Sequence, residues 1–324
     1  MSFPLPVETD RLVTVIQETF SRLCGRGRKQ ASLYSPSSTF DSSLTVSRPV
    51  RTIPSRVAFL ELSYNCNFCC PFCYVPWLDY PELYGRPLTR HQWFETIDKV
   101  ILEGYDGIQL CGGEPSLNRD FDAIVSFIVN RHSNIPLCIF TNGSCFTERF
   151  LTTIEGKNVY VVTSLQGIKT RDAMTGYSSS LSEWEYGCQT VRRHNVALEI
   201  QLPITKLNLP ELDEMLDLCA SFSPICIQVN PLVVEGRAKY HPDLWLSMDD
   251  RHRISRIVEQ RKQYSSFKIF VEPELYCIER TDSIVPDGCL QPIIHRECEK
   301  CKRDIVVGPD GRRRNCLHAT KCLV

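Results

Sequence analysis

From Arg56 onward the sequence repeats one pattern: a short apolar run, a polar loop, then a stretch with apolar residues at helical spacing. The apolar runs are Val57–Leu62, Gly107–Leu110, Leu137–Thr141, Val159–Ser164, Ala197–Ile204 and Ile225–Pro231. The spacing predicts helices over Thr89–Glu103, Arg119–Arg131, Glu148–Ile154, Ser182–His194, Leu209–Phe222 and Asp249–Ser265. Such alternation implies βαβ units and a parallel sheet buried on both faces. Six units are too few to close an eight-stranded barrel. The expected fold is therefore α/β: a curved, partly open (β/α)6 barrel over residues 51–265. Folds of this kind place their chemistry in the loops that follow the C-terminal ends of the strands.

The flanks read differently. Residues 1–50 read as an N-terminal extension, with Leu12, Val15, Ile16 and Phe20 at helical period. The basic run Gly25-Arg-Gly-Arg-Lys-Gln and a Ser/Thr/Pro-rich stretch follow, as in a solvated linker. After about Phe267 cysteines become dense: Cys277, Cys289, Cys298, Cys301, Cys316 and Cys322. Pro309-Asp-Gly is a turn signal, and Asp304–Val307 and Arg312–Asn315 are expected to pair around it as a hairpin. Residues 266–324 thus read as a small domain that needs metal to supplement its core.

A net charge of −1 gives no reason to expect nucleic acid or an anionic membrane as partner. No apolar run approaches the ~20 residues that span a bilayer. The first residues lack a signal-peptide pattern, so a cytoplasmic protein is expected. In that reducing compartment the clustered members of the 17 cysteines read as metal ligands rather than disulfides. Cys138, Cys219 and Cys226, in apolar segments, and the isolated Cys24, Cys145 and Cys188 read as structural or incidental.

Directly after the first strand stands Asn65-Cys66-Asn-Phe-Cys69-Cys70-Pro-Phe-Cys73-Tyr74. Cys66, Cys70 and Cys73 have the spacing C-x3-C-x2-C, with Cys69 between them. Three thiolates suit three irons of a [4Fe–4S] cluster and leave the fourth iron for a ligand that is not protein. A zinc site or an electron-transfer cluster is the alternative on these residues alone.

The spacing, with Phe72 and Tyr74 around the last cysteine, resembles the motif of the radical S-adenosylmethionine (SAM) superfamily. The resemblance implies a cluster on Cys66, Cys70 and Cys73 whose open iron is chelated by SAM. It also implies reductive cleavage of SAM to a 5′-deoxyadenosyl radical, with a flavodoxin- or ferredoxin-type protein as reductant. No catalytic residue beyond the cluster is implied. Gly112-Gly113-Glu114-Pro115 after the second strand resembles the family's GGEP segment, with Glu114 as the partner of the methionine amine. Asn142, in Thr141-Asn-Gly after the third strand, would lie near the adenosine, and Ser164, in Ser-Leu-Gln-Gly after the fourth, at the ribose. Gln166 stands where the family often has Asp. Arg171 matches an arginine that can neutralise the SAM carboxylate. Pro231-x4-Gly236-Arg237-Ala238 resembles a segment of maturase members, substrate-facing or a plain loop.

In the tail, Cys301-x9-Gly311-x4-Cys316 resembles the opening of twitch and SPASM auxiliary domains. Cys298-x2-Cys301-x14-Cys316 resembles the C-terminal triad of the GTP cyclase of molybdenum-cofactor biosynthesis. Both imply a second, auxiliary [4Fe–4S] cluster on Cys298, Cys301 and Cys316, with Cys322, Cys289, Cys277 or substrate as the fourth ligand; a zinc knuckle is the alternative. The expected function is hydrogen-atom abstraction from a small-molecule biosynthetic substrate (a sugar, nucleotide or amino-acid derivative). A peptide-modifying maturase that crosslinks or epimerises a residue is the second reading. A metal-binding or electron-transfer protein without catalysis is the third.

Overall fold

A computed structural model of the chain describes residues 54–75, 85–178, 181–234, 236–262, 268–271 and 303–314. In chain order they form β1 (Val57–Ser63), α1 (Arg90–Leu102), β2 (Gly107–Gly112), α2 (Phe121–Arg131), β3 (Leu137–Thr141), α3 (Glu148–Ile154) and β4 (Val159–Ser164). There follow α4 (Arg171–Thr175), α5 (Leu181–Arg193), β5 (Ala197–Ile204), α6 (Leu212–Ser221), β6 (Cys226–Pro231), α7 (Met248–Lys262), β7 (Lys268–Val271), β8 (Ile305–Val307) and β9 (Arg313–Arg314). Strands β1 to β7 lie side by side in sequence order, each parallel to the next. This is the expected α/β architecture of parallel strands and crossover helices.

Two features go beyond the repeat. β7 adds a further parallel strand after residue 265, where the pattern was expected to stop. The tail hairpin is present, with Val306 opposite Arg314. It does not stand apart from the sheet: β8 pairs in parallel with β1, Phe59 opposite Val306. Asp304 Oδ1 accepts the Val57 N–H at 2.9 Å, which pins the start of β8 to the start of β1. The sheet therefore draws residues from both sides of the expected domain boundary.

The strands are buried on both faces, but the faces differ. One packs Leu60, Leu110, Ile139, Val161, Ile200 and Val229 against the helices. The helices answer with apolar stripes, such as Trp93, Ile97 and Val100 on α1. Trp93 is fully buried, and its loss would cost about 3–5 kcal/mol. Thr89 and Gln92 close the start of α1 as a reciprocal capping box. The other face turns alternate residues inward, among them Cys138, Tyr160, Val162 and Cys226. Cys145, Cys188 and Cys219 are buried as well, as expected of cysteines used as small hydrophobes. Cys24 and the residues before 54 lie outside the described residues. No helix among the described residues is long and apolar enough to cross a membrane.

Candidate cluster and cofactor site

β1 ends at Ser63, and the chain enters the cysteine loop at the C-terminal edge of the sheet. The loop is held from outside at three places. At its start, Gly113 N–H donates to Ser63 O at 3.0 Å and Glu114 N–H to Asn65 O at 2.8 Å. A Cβ on Gly113 would lie 2.2 Å from Asn65 O, so only glycine allows this approach. In its middle, Cys69 N–H donates to Thr175 O at 2.7 Å, beside Gly176 at the end of α4. At its end, Arg237 N–H donates to Cys73 O at 2.9 Å. Gly236 there has φ +54°, and a Cβ would fall 2.4 Å from Cys73 O. The Gly-Arg-Ala segment, which the sequence left as substrate-facing or a plain loop, grips the cysteine loop.

Cys66, Cys70 and Cys73 are half-buried, whereas Cys69 is exposed. Burial pushes the Cys66 and Cys70 thiols up, and at Cys70 the nearby Cys73 and Cys66 push further. Cys66 and Cys73 therefore both lie within electrostatic reach of Cys70. Cys66 Sγ accepts the Phe68 N–H at 3.4 Å. Cys69 Sγ instead accepts Arg237 Nη1 at 3.1 Å. Among the described residues no three Cys, His, Asp or Glu side chains stand close enough for one metal ion. A [4Fe–4S] cube asks for something wider, one thiolate on each of three irons. An all-sulfur donor set from one loop, with a fourth thiol turned to solvent, fits that group.

Glu114 is fully buried. Its Oε1 accepts Ser116 Oγ at 2.6 Å, Thr141 Oγ1 at 2.9 Å and Ser116 N–H at 3.1 Å. Its Oε2 accepts Asn142 N–H at 2.8 Å. Burial raises this carboxyl, against those hydrogen bonds. The side chain ties the loop after β2 to the loop after β3, and Pro115 opens the short 3-10 turn that sets it there. Asn142 in turn reaches the cysteine loop, donating from Nδ2 to Asn67 Oδ1 at 2.7 Å.

Ser164, Gln166 and Arg171 form one chain after β4. Gln166 Nε2 donates to Ser164 Oγ at 2.6 Å, and Arg171 Nη1 donates to Gln166 Oε1 at 3.1 Å. Arg171 is 3% exposed, its Nε has no hydrogen-bond partner among the described residues, and it lies 5.9 Å from the Phe68 ring centroid. Because Gln166 is neutral, this buried guanidinium meets an amide where an aspartate would have paired with it. Desolvation lowers its pKa, against the Cys188 and Cys70 sulfurs.

Comparison with known proteins identifies the family. Residues 60–219 match the model of the Radical SAM superfamily. The chain belongs to the radical SAM superfamily. It is 25% identical to the sporulation killing factor maturation protein SkfB of Bacillus subtilis over 55% of this chain and 43% of that protein. It is 36% identical to the S-adenosylmethionine-dependent nucleotide dehydratase of Selenomonas ruminantium over 26% of this chain and 29% of that one. The chain thus spans less than half the length of either relative. The crystal structure of Streptococcus suis SuiB bound to precursor peptide SuiA shares the fold, with a TM-score of 0.65 and 15% identity over 83% of this chain and 61% of SuiB.

Two features of this radical SAM site, Asn67 and Glu61, were not singled out in the sequence, and Arg237 was named there only as part of the Gly-Arg-Ala segment. Asn67 bridges to Asn142 and to Ser144 Oγ, the latter at 2.8 Å. Arg237 touches the loop with backbone and side chain. Glu61, just before the loop, faces inward and makes a buried ion pair with Arg314 of β9. Burial lifts the Glu61 carboxyl from 4.5 to about 7, against the pull of Arg314. A charge inside the apolar run Val57–Leu62 was the available signal. Gln109, Glu199 and Gln228 are likewise buried on strands, and Gln201 and Asn230 are half-buried, Asn230 donating to Gln201 Oε1 at 3.2 Å. Cys277, Cys289, Cys298, Cys301, Cys316 and Cys322 lie outside the described residues.

Proposed function

We propose that this radical SAM enzyme holds a [4Fe–4S] cluster through Cys66, Cys70 and Cys73 and removes a hydrogen atom from a small, polar biosynthetic substrate. The convergence of three half-buried thiols in a clamped loop, with Cys69 exposed, carries the first half of this reading. When bound, the cluster and SAM supply reductive cleavage of the sulfonium to methionine and a 5′-deoxyadenosyl radical. Arg171, buried and with its Nε unpaired among the described residues, binds the SAM carboxylate. Ser164 and Asn142 orient the nucleoside. Gly112, Gly113 and Pro115 shape the wall at the methionine amine, and Glu114 serves it by fixing the loop that carries Asn142. Gln109, Gln201, Gln228 and Asn230 give the inner face amide groups that suit a hydroxyl- or amine-bearing substrate.

A second [4Fe–4S] cluster belongs to the proposal, on Cys298, Cys301, Cys316 and Cys322, and a flavodoxin- or ferredoxin-type protein is the inferred reductant. Anaerobic reconstitution should give about four irons and four sulfides per cluster. Dithionite with SAM should then release 5′-deoxyadenosine. Zinc in place of iron would overturn the reading. Replacing Cys301 and Cys316 together should remove about half of the iron. A peptide substrate is the second reading, favoured by the likeness to SkfB and by the fold shared with peptide-bound SuiB. Turnover of a peptide encoded beside this chain, with none of sugars, nucleotides or amino-acid derivatives, would select it.

A further inference from the structure

Arg237 contacts the cysteine loop in two independent ways. Its N–H fixes Cys73 O at 2.9 Å. Its guanidinium reaches back along the same loop to Cys69 Sγ at 3.1 Å. The two contacts lie on either side of Cys70, so the side chain runs along the loop. The glycine before it permits this course, since any Cβ on Gly236 would strike Cys73 O. We propose that Arg237 is a positioning residue that sets the reduction potential of the cluster, by holding a fixed positive charge over the loop that ligates it.

The inference rests on the cluster reading above. Adding one electron to an iron–sulfur cluster makes it more negative, so a nearby cation favours the reduced form and raises the potential. Cys69 has a part in this arrangement without being a ligand. Its thiol anchors the guanidinium on the outer side of the loop.

The test is a potentiometric titration, followed by electron paramagnetic resonance, of the anaerobically reconstituted full chain without SAM. Native protein, Arg237→Gln and Arg237→Lys are compared at matched iron content. Arg237→Gln should lower the ratio of reduced to oxidised cluster at a fixed potential about tenfold, a fall of about 59 mV for a one-electron couple. Arg237→Lys keeps the charge and should stay near the native value. An unchanged potential in iron-loaded Arg237→Gln would overturn the proposal and leave Arg237 as a loop clamp alone. If Arg237→Gln holds no iron, Arg237→Lys decides: a native potential supports the proposal, and a shifted potential or an empty site overturns it. Native protein that takes up no iron would overturn the cluster reading itself, a result distinct from any difference between variants.

Discussion

The buried pair Glu61–Arg314 makes stability depend on pH in an unusual direction. Glu61 is 2% exposed, and its carboxyl rises from 4.5 to about 7 because the cost of burying the charge exceeds the attraction of Arg314. Between those values the folded chain keeps a proton that the unfolded chain has released. The stability this group contributes is complete below about 4.5 and is lost as pH rises through about 7. At 1.36 kcal/mol per pH unit, the rise from 4.5 to about 7 makes about 3 kcal/mol. Glu61→Gln keeps an acceptor for Arg314 and cannot ionise. Urea unfolding of native and variant chains, each at matched iron content and at several pH values, gives the stability difference directly. Any constant offset from altered packing drops out of its pH dependence. The variant should gain on the native chain by about 3 kcal/mol between pH 4.5 and 7. A difference that stays flat, or that moves in the native chain's favour, would mean that Glu61 is ionised throughout and that Arg314 outweighs burial.

Other substitutions probe the loop and the cofactor site. Cys70→Ala should abolish iron binding at the first cluster while Cys69→Ala retains it, read as iron per chain; the reverse result would reassign the ligands. Gly236→Ala places a Cβ against Cys73 O at positive φ, so the backbone strain alone costs about 1–3 kcal/mol, and cluster loading should fall at unchanged helix content by circular dichroism. Arg171→Gln should weaken SAM roughly 10- to 100-fold in equilibrium dialysis, the worth of a charge-assisted hydrogen bond of about 1.5–3 kcal/mol.

The barrel was legible in the sequence because each strand is a short apolar run between loops and each helix carries a stripe at its own period. β3, β4 and β5 have the expected bounds, and α3 does too. β7 was missed because four residues, Lys268–Val271, are too few to show a period. The hairpin was legible from its Pro-Asp-Gly turn, but its place was not. Pairing of Phe59 with Val306 joins residues far apart in the chain, and nothing local to either segment encodes it. Glu114 shows a different limit. Its position after β2 was readable, but the direction of its carboxylate depends on Thr141 and Asn142 of the next unit.

These contacts explain why glycines recur around a loop that makes few bonds of its own. Within the cysteine loop, Cys73 N–H to Cys70 O at 3.2 Å is the backbone hydrogen bond between cysteines. Four half-exposed or exposed cysteines cannot build a core, and the loop has no helix or strand to stiffen it. Its shape must come from neighbours that approach as closely as backbone can. Gly113, Gly176 and Gly236 do this from the loops after β2, β4 and β6, each with a missing Cβ that would overlap a loop carbonyl. The motif glycines are therefore explained before any ligand is considered. A cluster and its nucleoside would meet a loop already fixed at its start, middle and end by three separate βα units, and the thiols could take up metal without first ordering the chain.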